Sequence, residues 1–284
     1  MKPRNFVALL NVPKAKRYAI VAEGLKLLSE HVATLRGDLV HLQEAGRHRS
    51  APVIDGLASE EAAKILILLD VVRMGWTNDT AVRDQLRRLH QHLARGIYCK
   101  VVAGAPADLA EVRRYTESLR RSHYLDGPND VDWIFRNSVD SDREEQLYVD
   151  YVTYENGSFW TTPATRNSQD SDLWPARASL VIDLVLSLQR FGCMTEKGLE
   201  IIAKVWDGVA VADDTHWSEI QALNEQVLRS LGAADLYGHD LTNDDARLAM
   251  QHWTFPLSGI ELAPIEVKAS ELQAERERWI ANQW

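Results

Sequence analysis

Residues 51–74 read APVIDGLASEEAAKILILLDVVRM. Ser50 stands where a helix N-cap is expected, Pro52 falls in the first turn and Gly75 supplies a stop, so the stretch predicts one helix. At about 100° per residue, Ile54, Leu57, Ala58, Ile65, Leu68 and Val72 fall within about 60° of Glu61, which places that carboxylate at the centre of the buried face. Glu60 falls off that face and is spaced i,i+4 from Lys64, a common surface pair. A carboxylate taken out of water costs several kcal/mol unless it is matched. Glu61 therefore predicts a cationic partner in the core, either an Arg or His that fixes packing or one that it orients for catalysis.

Around this helix the first third of the chain reads as long helices. Ile20, Leu27, Leu28, Leu35, Leu39 and Leu42 recur at helical spacing from about Lys14 to Ala45, and GRHRSAP breaks the pattern. A third helix is expected from about Asp79 to Ala103, and a fourth from about Ala107 to His123. Short loops between four helices favour antiparallel packing. Past SHYLDGPND the texture changes: QLYVDYVTYENGSFWTTP carries aromatic and β-branched residues around Asn156-Gly157, a strong hairpin signal. Helices resume at about 173–191, 196–206, 216–231, 244–251 and 269–281. The fold class expected is mainly α: an antiparallel helical bundle over residues 1–165 that ends in a small β-hairpin, with a helical C-terminal region, 166–284, packed on it.

At 284 residues the chain can bury a substantial core. No apolar run approaches the roughly 18 residues of a membrane span, so no membrane association is expected. MKPRNFVALLNVPK lacks the apolar stretch of a secretory leader, and two cysteines, Cys99 and Cys193, suit a reducing compartment. A cytoplasmic location follows as an expectation. The net charge of −9 is unevenly spread: residues 1–121 hold 20 Lys and Arg against 13 Asp and Glu, or +7, leaving 12 against 28, or −16. A polyanion such as RNA would be drawn to the first part; alternatively, the basic and acidic parts neutralise each other internally.

The third helix carries the candidate chemistry in QLRRLHQHLARGIY, residues 85–98. Val82, Leu86, Leu89, Leu93 and Ile97 form its core stripe. His92, Arg88 and Arg95 lie along one edge, and Arg83, Arg87 and His90 toward the other side. A half-buried His beside fixed guanidinium groups is what metal-free RNA cleavage needs: the imidazole moves a proton to or from the ribose 2′-OH, and Arg stabilises the phosphorane. The Arg-x4–6-His pattern alone is cheap, since it also occurs as Arg83–His90, Arg36–His41 and Arg247–His252. There is no glycine-rich phosphate loop, HExxH, GxSxG or CxxC. Glu60, Glu61, His92 and Asp150 could ligate a metal by residue type, but nothing in their spacing demands it, and no cofactor is expected.

AEGLKLLSEHVATL, GLASEEAAKILILLD, HLARGIY and REEQLYVDY together resemble the AbiV-type abortive-infection proteins, part of the wider HEPN group of helical domains. The resemblance spans about residues 15–155 and is carried by the EExxK of Glu60, Glu61 and Lys64 and by LYVDY, Leu147 to Tyr151. It implies a helical bundle that dimerises, an antiphage role and, in active members, an endoribonuclease whose Arg-x4–6-His motif maps here onto Arg87 and His92. Active members carry a polar residue after the Arg, where this chain has Arg88, and the helical wheel sets Arg88 beside His92. The expected site is thus His92 with Arg87 or Arg88, supported by Glu61, Arg95 and Asp150. The other expectation, from a different class, is a non-catalytic helical dimer that acts by binding a phage or host protein.

Overall fold

A computed structural model describes residues 5–124, 135–154, 157–163 and 179–281. The 51–74 stretch forms α2, Ala51–Arg73, and it is the axis of the fold. From Ala62 through Ile65 to Arg73 it is buried on nearly every side, because helices close around it. These are α1, Lys14–Glu44, α3, Asp79–Arg87, α4, His92–Ala103, α6, Ser138–Leu147, α7, Leu180–Arg190, and α8, Glu196–Val205. A helix that is apolar all round is stable only when enclosed in this way. The mean content of the molecule is helical, as expected, with only small β elements.

α1 packs along α2, but on a different stripe from the one expected. Val21, Leu25, Val32 and Leu39 are buried, while Ile20 and Leu27 are exposed. Leu25, Val32 and Leu39 repeat every seven residues, the narrow seam that two long neighbouring helices share. α5, Leu109–Arg120, packs on α4 and ends at a ribbon, β1 (Ser122–Tyr124) with β2 (Phe135–Asn137), that the sequence did not suggest. The expected hairpin is present as β3 (Asp150–Tyr154) and β4 (Gly157–Thr161), antiparallel with Tyr151 opposite Trp160. Its turn residues Glu155 and Asn156 lie outside the described residues, as does the first part of the helix expected at 173–191.

The C-terminal region joins the same core. α9 (Trp217–Ala233), α10 (Asn243–His252) and the buried strap Trp253, Phe255, Leu257, Ile260 and Leu262 belong to one contiguous hydrophobic cluster with α1, α2 and α4. α11, Ala269–Ala281, lies outside that cluster, although its Leu272 is buried. Among the described residues, no helix is long and apolar enough to cross a membrane. The charge asymmetry is spent partly inside the molecule, as Arg36 pairs with Asp183, Lys100 with Asp142, Arg113 with Asp213 and Arg121 with Glu275.

A polar knot fastens the strap to α2. Arg73 Nη1 donates to Asp70 Oδ1 at 3.2 Å and to the Thr254 carbonyl at 3.1 Å, and Nη2 donates to Asn224 Oδ1 at 3.1 Å. Its guanidinium lies 4.6 Å from the Trp206 ring centroid and 4.3 Å from that of Trp253. Asp70 Oδ2 accepts from the Tyr98 hydroxyl at 2.6 Å and from the Leu257 N–H at 2.9 Å. Burial pushes the Asp70 carboxyl above its ordinary range; the Arg73 charge and these hydrogen bonds pull it back down. Asp70→Ala leaves Arg73 charged and buried without its carboxylate, which predicts a loss of about 3–5 kcal/mol in urea unfolding. The exposed Asp84–Arg87 pair has the same i,i+3 spacing, and Asp84→Ala is expected to cost no more than about 1 kcal/mol in the same measurement.

Candidate functional site

The helix expected from Asp79 to Ala103 is broken in the middle. α3 ends at Arg87, Arg88–His90 form a single 3-10 turn, Gln91 is extended, and α4 starts afresh at His92. The apolar stripe survives the break, since Val82, Leu86, Leu89, Leu93 and Ile97 are all buried. The polar edges do not. A wheel carried at a constant angle through residues 88–91 places Arg95 beside His92 correctly but Arg88 wrongly, because the backbone there leaves the α-helical path.

Arg88 is buried and faces away from the candidate site. It donates to Gln85 Oε1 at 2.6 Å, to the Leu257 carbonyl at 2.7 Å and to the Ile260 carbonyl, clamping the turn to the C-terminal strap. Arg87 is exposed and pairs with Asp84. Neither arginine meets His92, which corrects both expected pairings.

His92 is joined instead by Arg95, one turn further along α4. Arg95 Nη2 lies 2.7 Å from His92 Nδ1 and 3.0 Å from Glu60 Oε2. His92 Nδ1 lies 3.0 Å from Glu60 Oε2, and Arg143 Nε of α6 donates to Glu60 Oε1 at 2.8 Å. One carboxylate thus holds three basic side chains from two helices. The residue at its centre is Glu60, not Glu61. Glu60 is mostly shielded from solvent, and Glu61 pairs with Lys64 of its own helix. Asp150 lies on the β3–β4 ribbon, where its carbonyl accepts from Thr161 Oγ1.

Gly96 explains how α6 comes close enough to deliver Arg143. A Cβ at Gly96 would overlap Val139 Cγ1 of α6, so the glycine is a seat for Val139. α6 is capped by Asn137, whose side chain accepts from the Val139 and Asp140 N–H groups. Asp140 shares the electrostatic field of the cluster: burial and then Glu144 raise its carboxyl above the ordinary range, while His92 and Arg143 oppose the rise. Arg143 and Asp140 escaped sequence reasoning because residues 138–147 were not read as a helix. Asn137 followed by acidic residues in the first turn was the available signal.

Chemically, the cluster offers a proton carrier beside fixed positive charge. The His92 side chain is 48% exposed, and its Nε2 has no hydrogen-bond partner among the described residues. Nδ1 can accept from Arg95 when unprotonated or donate to Glu60 when protonated, so the ring has a fitting partner in either state. Cysteine chemistry is disfavoured, as burial pushes the Cys99 and Cys193 thiols up to about 12. Among the described residues, no three His, Cys, Asp or Glu side chains are grouped to hold a metal ion.

Fold and site define a mainly helical protein with a half-exposed histidine set in an Arg and Glu cluster. The chain matches no protein-family model, no curated protein and no solved structure.

Filling the Gly96 seat tests this geometry. Gly96→Ala is expected to destabilise the protein by about 1–3 kcal/mol through overpacking. Val139→Ala in the same chain should recover part of that loss, so that a double-mutant cycle shows coupling between the two positions. Additive losses would mean that α6 is not seated on Gly96.

Proposed function

We propose that this chain is an antiphage, toxin-like effector of the abortive-infection kind, a metal-independent endoribonuclease of HEPN type. In this reading His92, the expected general acid or base, acts as the base, and Arg95 and Arg143, rather than Arg87 or Arg88, stabilise the phosphate. The observation that carries it is the exposed His92 ring, whose Nδ1–H can donate to Glu60 and leave Nε2 to accept, with the Arg95 guanidinium beside it. His92 Nε2 takes the proton of a ribose 2′-OH, and the 2′-oxygen attacks phosphorus. The P–O5′ bond then breaks, the leaving oxygen takes a proton from water, the hydroxide so formed takes up the proton held on Nε2, and a cyclic phosphate remains. Charge that builds on the phosphorane meets the guanidinium groups at the start of α4, where the helix end also favours an anion.

A second reading is favoured by a different observation. Arg87 points to solvent with Asp84, and Arg88 is committed to the strap, so the resemblance's own Arg-x4–6-His pair is not assembled in one protomer. In that case the chain acts without catalysis, by binding a phage or host protein.

Cleavage of single-stranded RNA in the presence of a chelator separates the two. His92→Ala is expected to lower the rate by about 10²–10⁴-fold, the usual contribution of a general acid or base, while Arg87→Ala leaves it near the wild-type rate and Arg143→Ala lowers it. Wild-type protein that cleaves no RNA, or a His92→Ala variant that cleaves as well as wild type, overturns the nuclease reading. Phage protection that persists in His92→Ala without RNA cleavage establishes the binding reading in its place.

A further inference from the structure

Beside the polar knot, the end of α2, the first turns of α5, the loop after α8 and the strap enclose a cleft of about 170 Å³. Its walls are largely apolar, formed by Met74, Leu109, Val209, Val211, Pro256 and Ile260. Two arginines, Arg73 and Arg113, also line it, and among the described residues no carboxylate does. None of these side chains belongs to the cluster around Glu60. In a chain of net charge −9, a concave surface with cations alone set in low-dielectric walls concentrates anions.

The polar atoms of the lining side chains are donors in want of acceptors. Trp206, also part of the wall, keeps its indole Nε1–H buried without a partner among the described residues, and Arg73 does the same with Nε–H. Unmatched buried donors are costly and therefore rare. Arg113 reaches the Gly259 carbonyl through Nη1 at 3.4 Å, and its Nε lies 2.6 Å from Asp213 Oδ1 without forming a hydrogen bond there. The Arg113 and Asp213 side chains are 42% and 67% exposed, so this misaligned pair is weak and a better-placed anion displaces Asp213. Arg73 is already committed to Asp70, Thr254 and Asn224. That leaves Arg113, on the solvent side, as the cation open to a ligand, which suits a single negative charge.

We propose that this cleft is a binding site for a small carboxylic acid with one ring, its carboxylate held by Arg113 and its ring lodged between the valines and Ile260. Size, polarity and charge each narrow the ligand. An engineered apolar cavity of about 150 Å³ holds a single benzene ring, so this volume takes one ring and excludes a nucleotide or a peptide. The apolar walls favour a hydrocarbon body over an inorganic anion, which would lose its hydration and gain no contact there. The planar guanidinium fork matches a carboxylate, whose two oxygens accept in parallel.

Isothermal titration calorimetry of the full chain with benzoate, and with benzyl alcohol as a neutral molecule of similar size, tests the proposal. Benzoate is expected to bind with a Kd of about 1 mM or tighter, and benzyl alcohol about tenfold more weakly or worse. Arg113→Met, which keeps an apolar stem and removes the charge, should weaken benzoate by about tenfold or more and leave benzyl alcohol unchanged. Val209→Trp, a larger side chain at the exposed rim of the cleft, should block both. Arg247→Met, which removes an exposed arginine paired with Asp244 on α10, should bind benzoate as wild type does. Far-UV circular dichroism and the thermal midpoint should match wild type in each variant, so that a loss of binding reads the cleft and not the fold. Wild type that takes up no benzoate at tens of millimolar overturns the proposal. So does benzoate binding that Arg113→Met and Val209→Trp both leave intact, or benzyl alcohol that binds as tightly as benzoate.

Discussion

The buried Asp70–Arg73 pair is the interaction on which the rest of the structure depends. Two opposite charges in the buried last turn of α2 are expensive to desolvate, and their mutual attraction alone does not repay that cost. The fold repays it with geometry. Tyr98 from α4, the Leu257 N–H and Thr254 carbonyl from the C-terminal strap and Asn224 from α9 each supply a hydrogen bond, while Trp206 and Trp253 flank the guanidinium. Because these partners come from both ends of the chain, α2 cannot be satisfied by the N-terminal helices alone. The single hydrophobic cluster that runs from Val21 to Leu262 is the packing counterpart of that requirement.

The candidate site follows a related rule at the edge of the same helix. Glu60 has two oxygens and three basic neighbours, and they divide it: Arg143 takes Oε1, and Arg95 and His92 share Oε2. Arg95 is itself buried, so the carboxylate is needed for packing whatever else it does. His92 is the most exposed member of the group, and it owes that orientation to the break before α4. A continuous helix through residues 88–91 would have placed the ring by the phase of α3. The restart at Gln91 places it by the first turn of α4, beside Arg95.

The sequence was most legible where one physical requirement dominates. Helical pattern and its start and stop signals marked α2, α8, α9, α10 and α11 to within a few residues, and aromatic and β-branched content about Asn156-Gly157 marked the β3–β4 ribbon. It was least legible where tertiary contacts override local pattern. The wheel chose Glu61 as the buried carboxylate because it weighs only the helix's own apolar residues; which of two adjacent carboxylates meets cations is decided by Arg95 and Arg143 on other helices. The break at Arg88 has no proline or glycine to announce it. It coincides with the clamp of Arg88 onto the 257–260 carbonyls, more than 160 residues away in sequence. α6 was hidden by its polarity, since Val139 and Ser141 are its buried residues and so short an apolar signal shows no period.

α6 also makes the candidate site and the aromatic ribbon mechanically dependent on each other. Only Tyr148 and Val149 separate the end of α6 at Leu147 from the start of β3 at Asp150. The helix therefore carries Arg143 toward Glu60 at one point and hands the chain to the exposed Tyr151 a few residues later. Its position against α4 is set at the Gly96–Val139 contact, where there is no room for an additional carbon. A packed contact without slack transmits displacement rather than absorbing it. Any surface that seats on the ribbon consequently acts on a segment that holds one of the three basic side chains around Glu60, and the reach of that effect is the length of a single ten-residue helix.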